Sequence, residues 1–210
     1  GTSFFNAGNL SAASVNVNSF GNLVNTGSIL ATTGSVNFSG PSGDFVNSGI
    51  INSVLADVNF NTASAAEAAN IALNNGHGQI LAEQGNINFR SSSFDSKSNL
   101  AITGGSLSAK QINLNGGRGD VDVSVDNLGG TVNSSAHSVR LMSVNDITIG
   151  NTTANGDPTI VSTSGDITIA GNQITGGAPL SVIAYGNIST DPGISIQTSG
   201  GEVFMASGVD

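Results

Sequence analysis

The chain has 210 residues and a net charge of −9, with five Lys and Arg against 14 Asp and Glu. So few cations exclude a phosphate-neutralising patch for nucleic acid and disfavour anionic membrane surfaces. No run of 18 apolar residues is present to span a bilayer, and the absence of cysteine removes disulfides, thiolate zinc sites and thiol catalysis. Charged residues make up 9% and aromatics 5%, whereas 38% of positions are hydrophobic and 29 are glycine. Disorder couples low hydrophobicity to high charge, and globular surfaces carry roughly 25% charged residues. Neutral amides and hydroxyls take that place here, which suits a solenoid in which like side chains stack every ~4.8 Å and repeated charges would repel.

The opening Gly1-Thr2-Ser3-Phe4-Phe5 lacks a basic stretch followed by an apolar one, so a secretion signal is expected to be removed or to lie outside this sequence. Three copies of one phrase then follow: Phe5-Asn6-Ala7-Gly8-Asn9-Leu10, Val24-Asn25-Thr26-Gly27-Ser28-Ile29 and Val46-Asn47-Ser48-Gly49-Ile50-Ile51. Each precedes an alternating triplet, Val15-Asn16-Val17, Val36-Asn37-Phe38 and Val58-Asn59-Phe60. Triplets continue at Ile87-Asn88-Phe89, Ile112-Asn113-Leu114, Val139-Arg140-Leu141, Ile147-Thr148-Ile149, Ile167-Thr168-Ile169 and Val203-Phe204-Met205. The outer positions of a triplet share one strand face and the middle one lies on the other. Strands this short cannot bury an apolar face alone, and a repeat of about 20 residues lets successive copies stack into one core. The pattern predicts an all-β, right-handed parallel β-helix as a single domain over 1–210, with an antiparallel sandwich as the rival. Asn6, Asn25 and Asn47 are expected to stack at one corner, bonded to each other or to turn backbone. Asn16, Asn37, Asn59, Asn88 and Asn113 are expected to form a second, outward column.

Regular coils are expected over 1–61. The Ala-rich stretch from Thr62 to Gly76 has capping-box spacing at Ser64 and Glu67 and a stop at Gly76. It predicts a short helix over 65–74, inserted at about 62–76 before longer-looped coils over 77–210.

The run Val24-Asn25-Thr26-Gly27-Ser28-Ile29-Leu30-Ala31 with Gly34-Ser35-Val36-Asn37-Phe38 resembles the repeats of bacterial filamentous-haemagglutinin-type adhesins. Gly78-Gln79-Ile80-Leu81-Ala82-Glu83-Gln84-Gly85-Asn86-Ile87-Asn88-Phe89 and Ser164-Gly165-Asp166-Ile167-Thr168-Ile169 are similar. The resemblance covers about two thirds of the chain. It implies an extracellular or bacterial cell-surface location, export of the two-partner-secretion type and membership of a larger exported protein or fibre. The secretion-domain phrases expected near the start of such proteins are not evident.

The strand Asp120-Val121-Asp122-Val123-Ser124-Val125-Asp126 predicts inward valines and outward carboxylates. Asp120 and Asp122 would lie about 6.5–7 Å apart, a separation that inverting glycosidases also use. Without tryptophan, and with Tyr185 the only tyrosine, sugar-stacking platforms are scarce, and a solvated strand face is the favoured reading. Asp120, Asp122 and Asp126 form a weak calcium set; no other cofactor is expected. Arg118-Gly119-Asp120 is the tripeptide that integrins recognise, weighed against a plain turn because Gly-Asp recurs at Gly43-Asp44, Gly156-Asp157 and Gly165-Asp166. His77 and His137 have no metal-ligand spacing, and no serine-nucleophile elbow occurs. The expected function is therefore non-enzymatic: a rod segment that pairs through its ends with another subunit or neighbouring coils. A glycan- or receptor-binding module is the alternative.

Overall fold

The computed structural model describes residues 3–19, 21–40, 44–62, 70–91 and 99–208. Among these, every paired strand is parallel to its partner and no helix occurs. The chain is a β-solenoid of about nine turns of roughly 21 residues. Coils one to three each carry three strands: β1 (Phe4–Asn6), β2 (Asn9–Ala12) and β3 (Val15–Asn18); β4 (Leu23–Asn25), β5 (Ser28–Ala31) and β6 (Val36–Ser39); β7 (Asp44–Asn47), β8 (Ile50–Ser53) and β9 (Val58–Asn61). These define faces A, B and C. The fourth and fifth coils run round all three faces as the long bent strands β10 (Ile71–Arg90) and β11 (Leu100–Asn115).

Like residues stack because each coil pairs in register with the next. On face B, Leu10, Ile29, Ile51, Ile80, Leu107 and Leu128 form one inward column. On face C, Val17, Phe38, Phe60, Phe89 and Leu114 form another. Phe60 stacks on Phe38 at 4.9 Å and on Phe89 at 4.5 Å, nearly coplanar in both cases. Phe45 of face A meets Phe38 and Phe60 edge-on at 5.0 and 5.1 Å. The scarce aromatic residues are thus spent on the N-terminal half of the core, where edge-to-face and stacked pairs add to area burial.

The predicted helix over 65–74 is not present where the structure describes it. Residues 65–69 lie outside the described residues. Ile71–Asn74 open strand β10, with Ile71 and Leu73 buried and Ala72 and Asn74 outward. Leu73 pairs with Phe45 below and Ile102 above. A period-two core and two ladder neighbours outweigh the few tenths of a kcal/mol per residue that alanine-rich composition offers a helix. Gly76, read as a helix stop, instead sits at a strand irregularity with φ of 50°.

Beyond the sixth coil the cross-section changes. Strands β12 (Val121–Val125) and β13 (Asn127–Ala136) still cover three faces. In β14 (Val139–Ser143) and β15 (Ile147–Ala154), face B has no strand, and face C splits at Gly150 into two short arms. The pattern continues in β16 (Pro158–Ser162), β17 (Ile167–Ile169) and β18 (Gln173–Thr175), then β19 (Leu180–Ala184), β20 (Ile188–Thr190) and β21 (Ile196–Gln197). A last face A strand, β22 (Val203–Ser207), ends the described stack.

The triplets therefore do not share one face. Val139-Arg140-Leu141 and Val203-Phe204-Met205 lie on face A. The rung that follows Ile112-Asn113-Leu114 is Val132-Asn133-Ser134.

Replacing Phe60 by alanine removes the middle ring of the aromatic column. It should cost about 3–5 kcal/mol, read as a lowered urea midpoint by circular dichroism. Phe5→Ala, at a side chain left mostly in solvent, should stay within about 0.5 kcal/mol.

Candidate functional site

Two columns of asparagine run along the rod, and they differ in burial and direction. At the corner between faces A and B, Asn6 Nδ2 donates to Asn25 Oδ1 at 2.8 Å, Asn25 Nδ2 to Asn47 Oδ1 at 2.8 Å, and Asn47 Nδ2 to Asn75 Oδ1 at 2.7 Å. Asn25, Asn47 and Asn75 are fully buried. The top of this ladder fixes its sense. Asn75 Nδ2 faces two carbonyls, Gly78 O at 3.0 Å and Ser106 O at 3.3 Å, so its oxygen must face downward and every amide below follows. A Cβ on Gly105, whose φ is 62°, would lie 2.4 Å from Asn75 Nδ2, which explains the glycine above the last rung.

On the outside of face C the sense is reversed. Asn37 Nδ2 donates to Asn16 Oδ1, Asn59 to Asn37, Asn88 to Asn59 and Asn113 to Asn88, each at 2.8 Å. Asn133 Nδ2 donates to Asn113 Oδ1 at 3.0 Å. Its own Oδ1 accepts the Asn151 backbone N–H at 2.9 Å, and that donor fixes the polarity of the whole column. Asn151 Oδ1 accepts Asn172 N–H at 3.0 Å, and Asn172 Oδ1 accepts Ser195 N–H at 2.8 Å. Asn75 and Asn133 are the rungs that sequence reasoning did not reach. Asn75 stands outside the Asn-x-Gly phrase of its column, and the inward partner of Asn133 is the polar Ser134.

The outer column turns from side-chain to backbone bonding at a β-bulge. Between β13 and β15 the register slips from Val132/Ile149 to Ser134/Thr152, so Asn133 alone faces both Gly150 and Asn151. A Cβ at Gly150 would lie 2.2 Å from Asn133 Oδ1. The bend leaves an outward concavity of about 400 Å³, lined by Gln111, Asn113, Asn115, Asn133, Asn151 and Thr153 among others. That volume falls in the range of small-ligand sites, ~300–1,000 Å³. This neutral, amide-rich hollow is the candidate binding surface of the rod.

The acidic strand is placed differently. Val121, Val123 and Val125 are buried and Asp120, Asp122 and Asp126 exposed. Asp122 lies in register with Arg140 and accepts its Nη1 at 2.8 Å. Among the described residues no three His, Asp or Glu converge as a metal site. Arg118-Gly119-Asp120 occupies a turn in which Gly119 N–H donates to Gly116 O at 2.9 Å. The tripeptide does not project freely, because Gly119 is buried and its carbonyl accepts His137 N–H at 2.8 Å from the next coil. Arg118, Asp120 and, one coil on, His137 present exposed side chains at that corner, as does His77 elsewhere.

No protein-family model matches the chain, and neither curated protein sequences nor solved structures give a significant match.

Asn47→Ala leaves the Asn75 oxygen buried without its donor and should cost about 2–3 kcal/mol. Asn37→Ala, on the wet column, should cost less than about 1 kcal/mol. Urea unfolding of the two variants side by side checks the order, and equal losses would deny the buried ladder its larger share.

Proposed function

We propose that this chain is a structural rod segment of a secreted or cell-surface bacterial fibre or adhesin, without catalytic activity of its own. The observation that carries the reading is the unbroken parallel stack: one continuous hydrophobic core runs from Val15 to Ala184, flanked by neutral ladders that add length without accumulating charge. Each further coil extends such a rod by one strand spacing, about 4.8 Å. The resemblance of its repeats to filamentous-haemagglutinin-type adhesins supports the surface location.

Association through the ends is part of this proposal. At β22 the inward side chains Val203 and Met205 are 47% and 39% exposed, whereas Leu180 and Val182 one rung below are at 0%. Phe204 beside them is also exposed. An open strand edge with core residues uncovered invites another layer of strand. The two ends differ in cross-section, three faces at the first coil and a split face C at the last.

The acidic strand supports a non-catalytic reading. Asp122 is already engaged by Arg140, and no aromatic residue lies in the outer concavity to stack a sugar ring. Calcium at Asp120, Asp122 and Asp126 and receptor contact at Arg118-Gly119-Asp120 remain proposals of lower weight.

Negative-stain electron microscopy and analytical ultracentrifugation over a concentration series test the rod. The expected result is elongated particles that associate as concentration rises, with Met205→Lys reducing association at least tenfold. Compact particles, or strictly monomeric rods unaffected by that substitution, would count against assembly through the β22 edge.

A further inference from the structure

We infer that the hollow at the face C bend binds a neutral saccharide chain rich in acceptor oxygens, and specifically one bearing N-acetyl groups. The inference rests on the adhesive reading above and gives it a site and a ligand class.

The argument is one of unpaired donors. Three amides at the rim have their oxygens engaged within the protein. Asn151 Oδ1 accepts Asn172 N–H at 3.0 Å, Asn115 Oδ1 accepts Gly117 N–H at 2.9 Å, and Gln111 Oε1 receives Asn133 Nδ2 at 3.5 Å. Their NH2 groups have no acceptor among the described residues, and all three side chains are exposed. Because the bound oxygens of Asn115 and Asn151 hold those two amides against flipping, their outward atom is the nitrogen. The wall between them, Asn113 and Asn133, has its amide oxygens and one N–H of each NH2 group engaged by the ladder and the next coil. The hollow therefore presents several fixed donors and few acceptors, with the Thr153 hydroxyl able to serve as either.

Such a surface selects for acceptors. A hydroxyl-only sugar can also accept from these NH2 groups, but through weaker acceptors than an amide carbonyl. An acetamido carbonyl is a stronger acceptor and adds a methyl group that needs no partner. Polyanionic chains satisfy donors too, but the net charge of −9 opposes their approach. Repetition favours a chain over a monosaccharide: the donors come from alternate coils, Gln111 and Asn115 from one and Asn151 from the next but one. Asn151 lies two strand spacings, ~10 Å, along the rod from the other two, and Gln111 and Asn115 are ~13 Å apart along their strand, so an oligosaccharide and not a single ring is needed to reach all three. With no aromatic platform, affinity comes from hydrogen bonds alone and is expected to be modest, in keeping with a surface that gains strength by being displayed many times along a fibre.

The test uses the whole chain, 15N-labelled, titrated with the N-acetylglucosamine tetramer and, separately, with the glucose tetramer, while the side-chain NH2 signals are followed by NMR. The expected result is saturable shifts at Gln111, Asn115 and Asn151, with the acetylated chain binding at least tenfold tighter. Asn151→Asp keeps the oxygen that accepts Asn172 N–H but replaces the outward donor by an acceptor. It should weaken binding at least tenfold with an unchanged thermal midpoint. Equal affinity for the two tetramers, no shift at the three amides, or full binding by Asn151→Asp would each overturn the inference. Binding of the acetylated tetramer elsewhere on the rod would overturn this site yet leave the adhesive reading standing. Loss of surface attachment by the unmodified rod would count against the adhesive reading itself.

Discussion

Registered parallel stacking is the constraint from which the rest of this molecule follows. A strand in a solenoid has its own counterpart directly above and below, so whatever side chain stands at a position must tolerate a near copy about 4.8 Å away. Apolar residues tolerate this best on the inside, and Val, Ile, Leu and Phe columns fill the core. Charged residues tolerate it worst. Where charge does occur in neighbouring coils it is complementary, as at Asp122 and Arg140, or the carboxylate bonds a backbone N–H of the next coil. Asp146 accepts Asp166 N–H at 2.8 Å in this way. Asparagine suits a column because it carries one acceptor and one donor group at the same height, so each residue can satisfy its neighbour on both sides.

The two asparagine ladders apply this chemistry with different consequences. The inner ladder lies in the core, where an unpaired amide would cost about 1–3 kcal/mol; it is closed at the top by two backbone carbonyls. The outer ladder is wet and its rungs can exchange with water, so its contribution to stability is small. Its polarity is nevertheless fixed at the bulge, where a backbone N–H must be accepted. Two antiparallel lines of amide dipoles result, the inner one oriented by backbone carbonyls at its rungs and the outer one by the backbone N–H at the bulge.

Much of this was legible in the sequence, for a physical reason. Registered stacking repeats the same residue type at the same coil position, so the inner Asn6, Asn25 and Asn47 and the outer Asn16 to Asn113 can be read from their spacing. Legibility fails where stacking is satisfied without likeness. Asn75 reaches its column through an irregular Asn-Asn-Gly turn. Beyond Leu114 the inward column of face C becomes Ser134, Thr152 and Gln173, all buried. These are held by a Ser134–Thr152 hydroxyl bond at 3.2 Å and by Gln173 Nε2 donating to Gly150 O and Gly171 O, each at 2.8 Å. The other inward column stays apolar through Ile112, Val132, Ile149 and Ile169, but an alternation of apolar residues cannot reveal a strand in which every second inward residue is polar. The apparent continuation at Val139-Arg140-Leu141 therefore belongs to another face. The stretch at 71–74 misleads in the opposite way, because alanine propensity describes an isolated segment and ignores the ladder partners waiting at Phe45 and Ile102.

In the proposed function, the change of cross-section is the place for binding. A uniform solenoid spends its polar side chains on stacking and has few left to recognise anything else; Asn37, Asn59 and Asn88 each have donor and acceptor engaged by their neighbours. Recognition then requires a place where stacking is interrupted and amides are held on one side only. The bulge opposite Asn133 provides that interruption. Side-chain oxygens there turn to backbone donors, the side-chain nitrogens lose their stacking partners, and the bend at Gly150 gathers them round a hollow. Interrupting the repeat costs regularity over one coil and yields the part of the rod whose hydrogen-bonding groups are not already committed to holding it together.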